Sequence, residues 1–154
     1  MSAPRARSLL VAAFVIAVDQ LTKWWALTAL DPARPTHVVW TLQFNVSYNS
    51  GMAFSRGRGL GPLIGVAALV IIVVLVLKLR AVNGALATVA SGLVIGGALG
   101  NICDRIFRSG GFLRGEVVDF IDLQWWPVFN VADMAVTIGG VLLVFAMTAA
   151  AKRA

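Results

Sequence analysis

Charged residues are scarce in this chain: only 13% of its 154 residues are Asp, Glu, Lys or Arg, whereas 59% are hydrophobic. A soluble domain usually has about a quarter of its residues charged. The composition therefore excludes an ordinary water-facing surface. Together with a mean hydropathy of +0.86, it indicates a protein embedded in a membrane.

Cysteine and histidine are almost absent, since the chain has one residue of each. The single Cys103 cannot form a disulfide within the chain, and a structural zinc site needs about four ligands. The sequence therefore excludes a disulfide scaffold and argues against redox and zinc chemistry.

The net charge of +6 would favour a nucleic-acid partner if the protein were soluble. The Lys and Arg residues are spread along the chain, however, and no aromatic or glycine-rich nucleic-acid motif accompanies them. We therefore attribute the charge to membrane topology and expect no nucleic-acid partner.

Four apolar segments are long enough to cross a bilayer, whose hydrocarbon core takes about 20 helical residues. They cover approximately residues 9–30, 60–79, 85–102 and 131–151. Arginines precede the first segment, as in a secretory signal peptide, but Asp19 and Lys23 interrupt it where a cleavage region would lie, which favours an uncleaved helix. Several glycines mark the third segment and predict close helix packing at the centre of the bundle. The predicted fold is a single-domain, all-α membrane protein with four transmembrane helices.

Basic residues near the ends of these segments indicate the orientation, because cytoplasmic loops are enriched in Lys and Arg. An even number of spans places the following residues on one side: Arg5, Arg7, Lys78, Arg80, Lys152 and Arg153. Both termini are therefore predicted to be cytoplasmic, and the loops of about residues 31–59 and 106–130 to be extracytoplasmic. The acidic residues other than Asp19 lie in or next to these outer loops.

The first outer loop has the pattern of a strand. Apolar and polar side chains alternate from Trp40 to Tyr48, which is the period of a half-buried strand. This predicts a small extracytoplasmic sheet-like region on the membrane. In the second outer loop, Trp125 and Trp126 suit the headgroup level of a bilayer.

Asp19 and Lys23 lie four residues apart on one helix face, a spacing at which opposite charges meet. Either charge alone would be costly in lipid. We interpret them as a structural ion pair in a polar interior rather than as catalytic groups, because a fixed Lys–Asp pair is a poor proton donor or acceptor.

Two further motifs place polar side chains near the outer face. Residues 49–54 read Asn-Ser-Gly-Met-Ala-Phe, which is either a functional segment or only a turn. Asn101 and Arg105 share one helix face at four-residue spacing. Arg105 alone could extend to the lipid headgroups, but that explanation leaves Asn101 at membrane depth without a role.

Asp119 and Asp133 are the residues of most interest for chemistry. Apolar residues flank both, which would hold the carboxylates at the edge of a low-dielectric region and raise the pKa of at least one if they approach. Two carboxylates that share a proton are the working unit of an aspartic protease. The alternative is that Asp133 caps the fourth helix and that Asp119 is a solvated loop residue, and the pattern alone leaves both possibilities open.

Taken together, these motifs resemble the bacterial lipoprotein signal peptidases, the signal peptidase II family. The resemblance spans nearly the whole chain in five ordered blocks: Asp19–Lys23, Asn49–Phe54, Gly96–Arg105, Val117–Asp122 and Phe129–Asp133. Five blocks in order on a four-span topology are far more specific than any one of them. The resemblance implies an aspartic endopeptidase that removes the signal peptide from prolipoproteins, cutting on the amino side of a diacylglyceryl-modified cysteine.

The resemblance also implies roles for individual residues. Asp119 and Asp133 would be the catalytic pair. Substrate contacts would come from Asn49, Gly51, Asn101, Arg105 and Asn130. A polar scaffold would come from Asp19, Lys23 and Asp104. The implied partners are the lipid-modified prolipoprotein and membrane lipid in the bacterial inner membrane, without metal, cofactor or obligatory oligomer.

Two other classes of function fit part of the sequence. A small carrier or proton channel would distribute acidic residues along the membrane depth, whereas here only Asp19 lies inside a predicted span. A noncatalytic assembly subunit would explain the tryptophans and the strand-like loop but not the paired Asp motifs. The sequence therefore favours the peptidase.

Overall fold

A computed structural model describes residues 3–50, 84–108 and 112–151, together with residues 63, 66, 67, 69–71, 73 and 74. Its elements are α1 (Ala3–Ala29), β1 (Thr36–Val39), β2 (Leu42–Asn49), α2 (Ala85–Phe107), β3 (Val117–Asp122) and α3 (Val131–Ala151). Most of the predicted span 60–79 lies outside the described residues, although its described positions are helical. Gly51 also lies outside them.

Three helices in the described part of the chain are long and apolar enough to cross a membrane: residues 3–29, 85–107 and 131–150. They confirm the predicted spans 9–30, 85–102 and 131–151 as apolar helices. The helix at 85 continues to Phe107, five residues beyond the predicted end. Asp104 and Arg105 are therefore helical residues, as the shared helix face of Asn101 and Arg105 required, and the helix includes the first two residues of the predicted outer loop 106–130.

Glycines on α2 allow it to pack closely between the other two helices. A Cβ atom at Gly96 would lie 2.7 Å from the carbonyl oxygen of Ala12 in α1, and one at Gly97 would collide with the carbonyl oxygen of Ala132 in α3. Small residues permit such close approach of helix backbones in lipid. The predicted central position of this helix is therefore correct.

The three strands form one antiparallel sheet in the order β1-β2-β3. The strand predicted in the first outer loop is confirmed, but it begins at Leu42 because Trp40 adopts a positive φ of 53° at the turn between β1 and β2. β3 was not predicted. It lies in the second predicted outer loop, so the sheet contains strands from both of these loops. Ser47 of β2 pairs with Asp119 of β3, which brings the two loops together.

Aromatic side chains attach this sheet to the C-terminal end of α1. The ring of Trp25 lies 5.1 Å from that of Phe44 and 6.1 Å from that of Phe120, in edge-to-face geometry. Such contacts add about 0.5–1.5 kcal/mol each beyond burial of area. They hold β3 beside the ends of the helices.

Candidate active site

Asp119 and Asp133 come from different elements and share one partner, Asn130. Asp119 lies in β3 and is only 2% exposed, while Asp133 lies in the first turn of α3. Asn130 immediately precedes α3. Its side-chain oxygen accepts a hydrogen bond from the Asp133 backbone amide at 2.9 Å, and the Asp133 Oδ2 accepts one from the Asn130 amide at 3.2 Å. This reciprocal arrangement is a capping box.

The same Asn130 side chain reaches the second carboxylate. Its Nδ2 donates to Asp119 Oδ1 at 2.6 Å, so one amide group is bonded to both Asp-bearing segments. Asn130 is completely buried. Because a buried amide is costly unless its hydrogen bonds are made, this geometry fixes the strand against the start of the helix.

Two more asparagines complete the ring around the carboxylates. Asn49 donates from Nδ2 to Asp119 Oδ2 at 3.1 Å, and Asn101 donates from Nδ2 to Asp133 Oδ1 at 2.8 Å. Each of the four carboxylate oxygens therefore accepts at least one hydrogen bond. The orientation of both acids is defined by three different parts of the chain.

Lys23 connects these asparagines to a second group of buried polar side chains, Asp19 and Asp104. Its Nζ lies 2.8 Å from Asp19 Oδ2, 2.8 Å from Asp104 Oδ2 and 2.9 Å from Asn101 Oδ1. The ammonium group thus has an acceptor for each of its three donors. Lys23, Asp19 and Asp104 are all at most 1% exposed, as the predicted ion pair in a polar interior requires.

The carboxylates of Asp19 and Asp104 also accept hydrogen bonds from backbone amides next to Asp133 and Asp119. Asp19 Oδ1 accepts the amide of Ala132 at 2.9 Å, one residue before Asp133. Asp104 Oδ2 accepts the amide of Val118 at 3.2 Å, one residue before Asp119. Lys23 therefore holds two anions that each anchor one of the Asp-bearing segments.

The electrostatics of Asp119 follow from its position. Burial, and then the nearby Asp133 carboxylate, raise the pKa of Asp119 to about 7, against the lowering effects of hydrogen bonds from Asn49 and Asn130 and of the Lys23 charge. A carboxyl group with such a pKa exchanges a proton near neutral pH. The pair is therefore suited to sharing one proton, as general acid–base chemistry requires.

Arg105 lies beside the same acids. It is 5% exposed, and its Nη1 lies 3.5 Å from the carbonyl oxygen of Gly115. Its charge interacts with those of Asp119, Asp104 and Asp133. The explanation that Arg105 extends to the lipid headgroups is therefore wrong.

The structure also resolves the alternatives left open for Asp119 and Asp133, whereas most of the motif at residues 49–54 lies outside the described residues. The possibility that Asp119 is a solvated loop residue is wrong, because it is a buried strand residue. The helix-capping position proposed for Asp133 is correct, but it is compatible with proximity to Asp119. Asn130, predicted to contact substrate, has its side chain bonded within the protein. The substrate contacts as a group stay predictions.

Two polar residues of the site, Gln20 and Arg108, were not identified from the sequence. Gln20 Nε2 lies 3.2 Å from Asp19 Oδ2 and 3.2 Å from Asp104 Oδ1, and Arg108 Nε lies 2.8 Å from Asp104 Oδ1. The spacing of Asp104 and Arg108, four residues apart on a helix, could have revealed the second contact. In the part of the chain that is described, no three His, Cys, Asp or Glu side chains could together hold a metal ion.

Comparison with known proteins identifies relatives over most of the chain. Residues 11–149 match the family described as Signal peptidase (SPase) II. The chain is 41% identical to the lipoprotein signal peptidase of Rhodococcus jostii (strain RHA1) over 138 residues, covering 87% of this chain and 68% of that protein. It is 42% identical to the lipoprotein signal peptidase of Mycobacterium avium (strain 104) over 142 residues, covering 91% and 78% respectively.

The fold also matches a solved structure. A bacterial membrane enzyme determined by the in meso method at 2.3 Å resolution superposes with a TM-score of 0.79 at 32% sequence identity, covering 92% of this chain and 87% of that one. The range matched by the family, residues 11–149, includes both Asp119 and Asp133. The chain therefore belongs to the signal peptidase II family of membrane peptidases.

Proposed function

We propose that this protein is an aspartic endopeptidase that removes the signal peptide from prolipoproteins whose cysteine carries a diacylglyceryl group, cleaving on the amino side of that cysteine. The proposal combines the family membership with one observation. Asp119 and Asp133, from a strand and a helix, are both hydrogen-bonded to Asn130 at the end of an apolar helix. This is the arrangement that an acid–base pair acting at a membrane surface needs.

The chemistry follows from the protonation of the pair. Peptide hydrolysis requires an activated water and a polarised carbonyl. With one proton on the pair, the ionised carboxylate takes a proton from water while the protonated carboxyl hydrogen-bonds the scissile carbonyl oxygen. The raised pKa of Asp119, about 7, supports the presence of that shared proton at neutral pH. The two roles belong to the coupled pair.

The surrounding side chains would bind and orient the substrate. Asn49, Asn101 and Arg105 lie around the pair and offer amide and guanidinium donors to the peptide backbone, with Gly51 following Asn49 in the same motif. Asn130 would act indirectly, through its hydrogen bonds to Asp119 and Asp133. No metal or cofactor takes part in this scheme.

The proposed topology is a single domain of four spans, in which residues 60–79 form the second span. Both termini would be cytoplasmic and the pair would lie at the extracytoplasmic face of the bacterial inner membrane. Exposed tryptophans at this end of the molecule, among them Trp24 and Trp125, fit the headgroup level there. One copy of the chain contains all the residues invoked.

The direct test is cleavage of a purified diacylglyceryl-modified prolipoprotein in lipid nanodiscs, followed by mass spectrometry. Asp119→Asn and Asp133→Asn each keep the shape of the side chain while removing the ionisable group. Each should lower kcat at least about a thousandfold, because removal of one member of a catalytic unit costs nearly the full catalytic effect.

Asp122→Asn is the matched control. Asp122 lies on the same strand and is also mostly buried, but its carboxylate is bonded to Gln43 and Asn45 rather than to the pair. It should cleave at close to the wild-type rate. Equal cleavage by wild type and Asp119→Asn would remove Asp119 from the mechanism.

A further inference from the structure

An apolar groove runs from Asp133 along the outer surface of α3. It has a volume of about 430 Å³, within the range of about 300–1,000 Å³ typical of small-molecule sites. Met134, Thr137 and Ile138 of α3 form one wall, and the segment before α3, including Trp125 and Trp126, forms the other. Apart from Asp133 and Thr137, every lining side chain is apolar.

The groove extends away from the candidate active site into the depth of the membrane. From Asp133 to Ile138 the helix advances about 7–8 Å, at about 1.5 Å per residue, and both residues belong to the apolar span 131–150. Met134 and Ile138 are 42% and 49% exposed. In a bilayer this wall is open to the hydrocarbon region.

The tryptophans define the outer end of the groove. Trp125 and Trp126 are 70% and 58% exposed, and their rings pack edge to face with centroids 6.2 Å apart. Adjacent Gln124 has a positive φ of 67°, and its amide is held by Asp122 Oδ1 at 2.7 Å. The start of the tryptophan-bearing segment is therefore fixed to the sheet.

We infer that this groove binds one acyl chain of the substrate's diacylglyceryl-cysteine and thereby positions the scissile bond at the carboxylate pair. The inference rests on the proposed function. The modified cysteine directly follows the bond that is cut, so its acyl chains must enter the membrane close to the pair. The groove begins at Asp133 itself, which makes it continuous with the site.

The groove positions the scissile peptide bond and adds little to the affinity for the substrate. An acyl chain is already in hydrocarbon before it enters, so little hydrophobic free energy is gained on transfer from lipid to an apolar groove. A chain held along α3 instead limits where the thioether and the adjoining peptide bond can lie relative to Asp133. Misplacement by about 1 Å can lower a rate about a hundredfold.

The test fills the groove with a larger side chain and varies the length of the substrate's acyl chains. Thr137→Trp places a large side chain in the groove wall, and Val144→Trp places the same side chain on α3 at a site that is 64% exposed and outside the groove. Each variant is assayed on one prolipoprotein carrying either palmitoyl or butyryl chains. Thr137→Trp should lower kcat/KM at least about tenfold on the palmitoyl substrate and leave the butyryl substrate unaffected. Val144→Trp should match wild type on both.

A second measurement uses the wild-type protein. A palmitoyl substrate with a photoreactive diazirine in the first half of its acyl chain, within the length of the groove, should label residues 134–138. A phospholipid with the same diazirine reports on bilayer lipid. If that phospholipid labels the segment and excess unlabelled substrate does not reduce the labelling, bilayer lipid occupies the groove and the inference is wrong.

The outcomes separate this inference from the proposed function. Wild-type cleavage with Thr137→Trp equally active on both substrates, or equally impaired on both, removes the acyl-chain role and leaves the peptidase intact. Cleavage by Asp119→Asn at the wild-type rate, or none by the wild-type protein, overturns the proposed mechanism and with it this use of the groove.

Discussion

Lys23 and Asp104 form a fully buried ion pair between α1 and α2, with Nζ and Oδ2 2.8 Å apart and both side chains without solvent exposure. The same ammonium group is bonded to Asp19 and Asn101. Through these partners it is linked to the backbone next to Asp119 and next to Asp133. The distance between the two candidate catalytic carboxylates therefore depends on a cation that touches neither.

Lys23→Gln should destabilise the protein strongly. Removing one partner of a buried ion pair leaves an uncompensated charge and typically costs about 3–5 kcal/mol, and here two carboxylates would lose their cation. Thermal unfolding in one detergent measures the effect. Arg108→Gln is the control, because Arg108 contacts the same Asp104 from a position that is 28% exposed and should cost at most about 1 kcal/mol. Equal losses in the two variants would contradict the role assigned to Lys23.

Asp119 should make the folded protein less stable as the pH rises. Its pKa is raised to about 7, by burial and then by the Asp133 carboxylate. Between about pH 4 and pH 7 the folded chain therefore keeps a proton that the unfolded chain has lost, so the free energy of unfolding falls with increasing pH. Unfolding midpoints measured from pH 4 to pH 8 should decline for wild type and change less for Asp119→Asn. Parallel curves would show that the pKa of Asp119 is not raised.

The activity profile should reflect the same proton. Loss of the shared proton near pH 7 should lower kcat/KM on the alkaline side, because two ionised carboxylates lack an acid to polarise the carbonyl. Steady-state cleavage between pH 5 and pH 9 measures this decline. A profile that keeps rising to pH 9 would exclude a protonated carboxyl from the reaction.

Asn130 offers a way to separate stability from catalysis. Asn130→Ser keeps a good N-cap for α3 but removes the Nδ2 group that donates to Asp119 at 2.6 Å. Because that hydrogen bond lowers the pKa of Asp119, its loss should move the alkaline limb of the activity profile to higher pH and reduce kcat about tenfold or more. Asn130→Ala should show the same shift and, in addition, lose about 0.5–2 kcal/mol of stability. An unchanged profile in both variants would contradict the bridging role.

The three described apolar helices were predictable because hydropathy is a local property of the sequence, and motif order singled out Asp119 and Asp133 as candidates. β3 was not predictable, because Asp119 and Asp122 interrupt its apolar residues and give a buried strand the sequence pattern of a polar loop. Their burial is possible only because Asn49, Asn130, Gln43 and Asn45 supply hydrogen bonds from distant parts of the chain. Such long-range compensation leaves no periodic signal. The role of Lys23 as a common partner of three acceptors is hidden for the same reason.

Gly97→Ala tests whether close packing of α2 against α3 sets the geometry of the pair. A Cβ atom at Gly97 would collide with the carbonyl oxygen of Ala132, the residue before Asp133, and neither backbone can yield without moving α3. The shift should lower kcat about tenfold to a hundredfold and reduce the unfolding midpoint. Gly140→Ala on α3 is the control, since a Cβ atom there meets nothing within 4 Å. If Gly97→Ala cleaves substrate as fast as Gly140→Ala, the start of α3 is not held by this contact, and the hydrogen bonds made by Asp19, Asn101 and Asn130 must fix the position of Asp133.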